Sequence, residues 1–179
     1  MEKQRVEKEL LKFRDLVINE SKQNLKRMNK IGKGTLLNSI KGTAKVSKNS
    51  IELNFSMEGY GVFQDQGVNG MSQHRNSPFK FRKGVPNKMM LQSLGVWMKA
   101  KGIQARGKDG KFKDSTGLKF AIARNIFKRG IKRSLFFTKP FMKAFKGLSN
   151  ELIEAYGLDA KDMLSKQFDE MIKELNTTK

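Results

Sequence analysis

The sequence predicts an α+β fold from three observations: a long stretch with helical spacing, a following stretch with a period of two, and a return to helical spacing afterwards. In the first, Val6, Leu10, Phe13 and Val17 fall at i, i+4, i+7 and i+11. They form one apolar stripe opposite Glu and Lys and predict a helix over residues 2–30. In the second, Ala44 and Val46 alternate with polar neighbours, Lys48, Asn49 and Ser50 offer a turn, and Ile51, Leu53, Phe55 and Met57 alternate in turn. This is the pattern of a β-hairpin with one covered face. The expected architecture is a long N-terminal helix packed on a small antiparallel β-sheet, with further helices and a helical C-terminal extension.

The other elements follow in order. After Gly32 and Gly34, Thr35 is placed to cap a short helical turn in TLLNSI. A short helix is expected from Tyr60 to Gln66, then a loop through Pro78, then a strand over residues 79–83, FKFRK. Pro86 and Asn87 open a helix with Met90, Leu94, Trp97 and Met98 on one face, and Gly102 stops it. Its aromatic residue, Trp97, is expected in the core. Residues 103–114, IQARGKDGKFKD, are Gly-rich, basic and poor in apolar residues, hence an exposed loop. Ser115 or Thr116 caps a helix carrying Leu118, Ile122 and Ile126 and ending at Gly130. Two more helices are expected, from about Phe141 to Tyr156 and from Asp159 to Leu175.

Between the helix ending at Gly130 and the one beginning at about Phe141 lies IKRSLFFTKPF, residues 131–141. As a strand its three adjacent apolar residues cannot share one side, because successive side chains alternate faces. With Pro140 ending backbone donation, a short edge strand is expected. It would place Phe136 and Phe137 on opposite faces, one in the core and one toward an assembly partner.

Composition bounds the function. The chain of 179 residues is 37% hydrophobic, with 13 Phe and 10 Met, which is ample for a core. It has no cysteine, so disulfides, thiolate metal sites and cysteine nucleophiles are excluded. The first residues, MEKQRVEKEL, alternate in charge without the apolar stretch of a secretory signal, and no apolar run approaches the ~20 residues that cross a bilayer. A soluble intracellular protein is expected. The net charge of +20 is uneven: residues 31–140 hold 22 basic and five acidic side chains, residues 141–179 six and seven. The middle of the chain therefore faces something acidic, whether nucleic acid, acidic protein or anionic membrane.

Catalytic machinery is sparse. Gly102 to Lys108 fits G-x-x-x-x-G-K, but Asp109 stands where a hydroxyl would hold magnesium, and the segment follows a helix instead of a strand. Gly107 to Gly110 spells the G-x-x-G of a backbone clamp without that module's flanking strands. His74 is the one histidine, which excludes a histidine triad or a multi-histidine metal site within one chain. Glu58 and Asp65 could meet, yet a nuclease gathers several carboxylates around divalent metal. No enzyme activity, cofactor or metal is expected.

GTLLNSI, then a hairpin, then YGVFQDQGVNG, LGVWMKAKGI and FAIARNIFKRGIKRSLFFTKPF succeed one another. In order and spacing these blocks resemble the tail-completion or neck proteins of tailed bacteriophages, the small head-tail joining proteins of the connector. The resemblance covers residues 35–145, and its domain would span residues 1–145, with residues 146–179 a helical extension outside it. The loop from Ile103 to Asp114 is longer and more basic than that family's pattern. The resemblance implies a structural virion protein at the head-tail interface, made and assembled in the bacterial host cytoplasm. It also implies a homo-oligomeric ring of six or twelve copies, partnered by phage portal or adaptor and tail proteins, with no membrane. Non-specific contact with phage DNA is expected inside such a ring. The alternative is a free basic nucleic-acid-binding protein without sequence specificity.

Two residue sets carry these expectations. Subunit or partner contact is assigned to Phe136, Phe137, Phe141, Phe168, Met171 and Leu175, the last three on the amphipathic final helix. Contact with DNA or an acidic partner is assigned to Arg106, Lys108, Lys111, Lys113, Lys128, Arg129, Lys132 and Arg133, because lysine and arginine neutralise phosphates and carboxylates alike.

Overall fold

The computed structural model describes residues 3–47, 50–81 and 84–177, with the side chains of residues 175–177 outside the description. In chain order the elements are α1 (Lys3–Arg27), α2 (Thr35–Ser39), β1 (Lys41–Val46), β2 (Ile51–Ser56), α3 (Tyr60–Gln66) and α4 (Lys88–Ala100). They continue with β3 (Ala105–Arg106), β4 (Phe112–Lys113), α5 (Thr116–Arg129), α6 (Thr138–Phe145), α7 (Asn150–Tyr156) and α8 (Ala160–Thr177). The fold is α+β and mostly helical, with the long N-terminal helix and the small antiparallel sheet that the sequence predicts, and with a second two-stranded sheet, β3–β4, that it does not. The chain divides into two compact units, one made of Met1–Asp65 with Leu135–Lys179, the other of Gln66–Ser134.

In the discontinuous unit α1 buries Val6, Leu10, Phe13, Val17, Ser21 and Leu25, so the helical stripe runs two turns beyond the apolar residues that reveal it. Asn29, in the left-handed region at φ 52°, ends the helix. The Lys30 N–H donates to the Leu25 carbonyl and the Asn29 N–H to that of Lys26, which satisfies two of the last carbonyls. Gly34, at φ 83°, stands before α2, so Thr35 is its first residue and not its cap. β1 and β2 pair antiparallel from Lys41 opposite Ser56 to Val46 opposite Ile51. Gly42 admits the ring of Phe55: a Cβ there would lie 2.9 Å from Phe55 Cδ1 and 3.0 Å from Arg14 Cγ.

The segment expected as an edge strand is the start of a helix instead. Leu135 adopts φ 53°, its N–H donates to the Asp65 carbonyl at 3.0 Å, and the chain turns directly into α6. Strand alternation therefore does not apply, and Phe136 and Phe137 both enter the core at 0% exposure. Pro140 sits in the first turn of α6, where no intrahelical N–H is needed. Asp65, fully buried on α3, caps this helix from outside: its Oδ1 accepts from the Phe137 N–H at 2.7 Å and the Thr138 N–H at 3.2 Å, and its Oδ2 from the Thr138 hydroxyl.

Nor does one helix run from Phe141 to Tyr156. The chain breaks over residues 146–149, where the Gly147 and Leu148 N–H groups donate back to Ala144 and Phe145. Glu9 of α1 then accepts from the backbone and hydroxyl of Ser149, ahead of α7. Asp159 begins α8, accepting from the N–H groups of Asp162 and Lys161, which hold its carboxyl below the usual carboxylate range.

The last helix is no extension beyond the domain. Ala160, Leu164, Gln167 and Met171 are buried along one face. The Gln167 amide takes up the free edge of β2, accepting from the Phe55 N–H and donating to the Leu53 carbonyl. A division at residue 145 is thus replaced by one core drawn from both ends of the chain. At its centre the rings of Phe13, Phe55, Phe137, Phe141 and Phe168 meet at centroid distances of 5.2–6.2 Å, several of them edge to face.

In residues 66–134, Asn87 Oδ1 accepts from the Met90 N–H and starts α4, as its position after Pro86 predicts. Gly102, at φ 65°, stops the helix. Met98, Ala123, Phe127 and Val68 are the buried apolar residues described here, and Phe81 meets Phe127 edge-on at 4.8 Å. Trp97 is not among them: at 39% exposure it faces outward with Val96 and Met89. The strand expected over residues 79–83 reduces to a single bridge between Asn69 and Lys80, with Arg82 and Lys83 outside the described residues. The loop expected over residues 103–114 is exposed but paired, Ala105 opposite Lys113 and Arg106 opposite Phe112.

Candidate polyanion and assembly surfaces

Three of the six residues assigned to assembly are unavailable to a partner of this folded chain. Phe136, Phe137 and Phe141 are fully buried. Met171 is buried and Phe168 half-buried against Phe137, while the Leu175 side chain lies outside the described residues. The amphipathic face of α8 is spent inside its own unit.

The eight assigned cations are all exposed, and they fall into two groups rather than one. Arg106, Lys108, Lys111 and Lys113 lie on the β3–β4 hairpin before the first turn of α5, whereas Lys128, Arg129, Lys132 and Arg133 lie at or beyond its last turn. A helix of 14 residues separates them by ~20 Å at 1.5 Å per residue. On its outer side Arg124 and Lys128 are exposed one turn apart, so the cationic surface continues between the groups. Residues 66–134 hold 17 lysines and arginines and two aspartates, leaving 20 basic and 15 acidic side chains for the rest of the chain.

The C-terminal group rests on a built scaffold. The N–H groups of Met71 and Ser72 donate to the carbonyls of Phe127 and Lys128 at 2.8 and 3.0 Å, and Arg75 Nε donates to that of Arg129 at 2.7 Å. The last carbonyls of α5 are thereby satisfied by the loop and not by solvent. Close approach requires glycine: a Cβ on Gly70 would lie 2.4 Å from the Gly130 nitrogen, and one on Gly130 would lie 2.3 Å from the Val68 carbonyl oxygen. Asn69 orders the loop itself, donating to the Ser77 carbonyl and accepting from the N–H groups of Arg75 and Ser77. Arg133 is fixed on Gln66 Oε1 and the Asn76 carbonyl. The backbone that carries these four cations is thus held in place by the loop, and of their side chains Arg133 is held as well.

At the other end the Arg106 guanidinium stacks 4.6 Å from the centre of the Phe112 ring. Ser115 Oγ accepts from the Ala105 N–H at 3.2 Å, so this serine braces the hairpin instead of capping α5. Asp114 takes the capping role: the hydroxyl and then the N–H of Thr116, with Lys119 nearby, hold its carboxyl below the usual range.

The motif-like segments resolve into these structural roles. Gly102 to Lys108 covers the turn after α4, strand β3 and the start of the β3–β4 turn, with no helix opening at Lys108. His74 is an exposed loop residue. Asp65 is committed to α6. Among the described residues no group of three or more His, Asp and Glu side chains is placed to hold a metal ion, and no helix is long and apolar enough to cross a membrane. Sequence reasoning misses Arg75 and Asn69, whose roles are hydrogen bonds across a loop, and Arg124, whose i, i+4 spacing to Lys128 was available to find it. No family model, curated protein or solved structure matches the chain.

Proposed function

We propose that this chain is a structural subunit of the head-tail connector of a tailed bacteriophage, forming a ring that joins portal or adaptor to tail and surrounds the DNA passage. The observation that carries the reading is the chemical division of the chain. One unit holds a ring-packed core at modest net charge, while the other holds 17 basic side chains against two aspartates and most of the exposed large apolar residues. A ring closes by meeting a different surface on the next copy, so unlike surfaces on one subunit are what it needs. The order and spacing of the sequence blocks over residues 35–145 support the same reading. In it the protein is a virion component assembled in the host cytoplasm, with portal, adaptor and tail proteins as neighbours.

Electron microscopy and native mass spectrometry of the purified protein test it. Closed rings of one size, six or twelve copies, are the expected result. A chain that remains monomeric at every concentration would overturn it. The basic unit also favours a second reading, a free protein binding nucleic acid without sequence preference. Both readings expect duplex binding that falls by about 10³–10⁵-fold between roughly 50 and 200 mM salt if about six to ten phosphates are neutralised. They part at physiological salt, where a DNA passage binds weakly and a dedicated binder retains its grip.

A further inference from the structure

Phe112 is 64% exposed on strand β4 of the β3–β4 hairpin, beneath a stacked arginine. Strands of two residues are too short to persist by pairing alone. Here the Gly107 N–H donates to the Lys111 carbonyl, the Gly110 N–H to that of Gly107, and Ser115 and the Arg106–Phe112 stack brace the base. The result is a preformed knob, one exposed aromatic ring stacked with Arg106 on a hairpin that also carries Lys108, Lys111 and Lys113, with Asp109 as its one carboxylate. An exposed aromatic beside an arginine is the composition of an interface anchor.

Among the described residues the discontinuous unit carries grooves of about 410 and 350 Å³. The first, between α1 and the end of α6, is rimmed by Arg5, Lys8 and Lys12 against Glu9, and it repels a basic knob. The second runs between β2 and the α7–α8 corner. Its rim carries Glu52, Asp159, Asp162 and Glu170 against Lys166, and its walls include Leu53 and Met163. Four carboxylates and one cation there mirror four cations and one carboxylate on the hairpin. A volume near the lower end of ligand pockets, roughly 300 Å³, suits one aromatic side chain.

We infer that the β3–β4 hairpin of one copy docks in the β2/α7–α8 groove of a second copy, with Phe112 seated in the groove and its lysines paired to the acidic rim. This deepens the ring reading and rests on it: knob and groove are different surfaces, so the contact is heterologous and propagates around a ring.

The absence of cysteine makes the test direct. Two single-cysteine proteins, Lys111→Cys and Asp162→Cys, are mixed under oxidation and the assembled fraction is analysed by mass. Charge is then reversed on the knob (Lys108, Lys111 and Lys113→Glu), on the rim (Glu52, Asp162 and Glu170→Lys), and on both in one chain. The expected result is a mixed disulfide between copies. Each one-sided reversal should weaken association at least a hundredfold with the melting temperature retained, and the doubly reversed chain should recover it. Phe112→Ala should weaken association without unfolding the protein.

Rings that form without the mixed disulfide, or that tolerate both reversals, overturn this contact and leave the ring reading standing. A mixed disulfide found only in a closed pair of copies, each knob in the other's groove, upholds the contact and overturns the ring. Wild-type protein that stays monomeric without cross-linking removes both, as does docking of a segment from an unrelated protein in the groove while copies of this chain fail to compete.

Discussion

In the discontinuous unit the large apolar side chains converge, five phenylalanine rings touching around α1, β2, α6 and α8, whereas residues 66–134 have a smaller core and leave six large apolar side chains exposed. Met71, Val85, Met89, Val96, Trp97 and Phe112 are exposed in the second unit, against Leu16, Met28 and Tyr60 in the larger first one. Charge divides the same way, with 17 cations and two carboxylates in 69 residues. Like charges confined together oppose compaction, and exposed apolar surface forgoes the burial that would offset them. The difference teaches that the densest core and the densest cationic surface occupy separate parts of this chain. Mutations in the ring cluster should therefore register in stability, and mutations at the exposed apolar and cationic residues of 66–134 in association.

The largest effect expected is on the ring cluster. Phe137→Ala removes a fully buried ring that meets Phe55, Phe141 and Phe168, and it should cost about 3–5 kcal/mol in chemical denaturation. Phe136→Ala should cost a similar amount, because it too is fully buried at the start of α6. A Phe136 variant with unchanged stability would restore the opposite-faces geometry that an edge strand implies. Next comes Asp65→Ala, which strands two backbone N–H groups and a hydroxyl at the start of α6. A loss of about 3 kcal/mol is expected, since an unpaired buried donor costs about 1–3 kcal/mol and the effects overlap. Asp65→Asn, which keeps an acceptor, should lose less. Equal losses for the two variants would mean that carboxylate charge, not the cap, holds α6.

What was legible in the sequence follows range of interaction. α1, the hairpin, α3 and α5 depend on spacing and turn residues within the segment itself, and their bounds emerge close to expectation. The geometry of residues 131–141 depends on Asp65, some 70 residues away, and on Leu135 taking a left-handed conformation that nothing in SLFFTKPF announces. With Asp65 as an external cap, Thr138 and Pro140 form the first turn of a helix. Without it the same letters describe a strand edge. Trp97 fails for a related reason: helical spacing groups residues on a face, but only the partner elements decide which face is covered. The exposed cations were legible individually, since long charged side chains rarely bury, while their separation along α5 required the helix and hairpin bounds.

A smaller effect of opposite sign tests the first unit from within. Ser21 lies on the buried face of α1 between Val17 and Leu25, fully buried, and its hydroxyl has no hydrogen-bond partner among the described residues. Replacing it by Ala removes an unsatisfied group and improves helix propensity, so Ser21→Ala should raise stability by about 1 kcal/mol. A loss of stability would show that the hydroxyl has a partner after all.

The smallest effect is expected at Trp97, and it tests the comparison most sharply. Trp97 and Met98 are neighbours on α4, yet one is 39% exposed and the other 2%. Trp97→Ala should change stability by no more than about 0.5 kcal/mol, the range of ordinary surface substitutions, although it removes the largest side chain in the sequence. Met98→Ala, a smaller truncation, should cost about 2–5 kcal/mol because it empties a packed site. Since Trp97 is the sole tryptophan, fluorescence reads this position alone. In the isolated subunit iodide should quench it and its emission should shift little on unfolding. In the assembled particle, protection from quenching would identify the outer face of α4 as a second surface covered by a neighbour, and unaltered quenching would leave that face to solvent or to another virion protein. A tryptophan already shielded in the monomer, with Trp97→Ala as costly as Met98→Ala, would break the contrast between the two units, because residues 66–134 would then bury Trp97 as the ring cluster buries its phenylalanines.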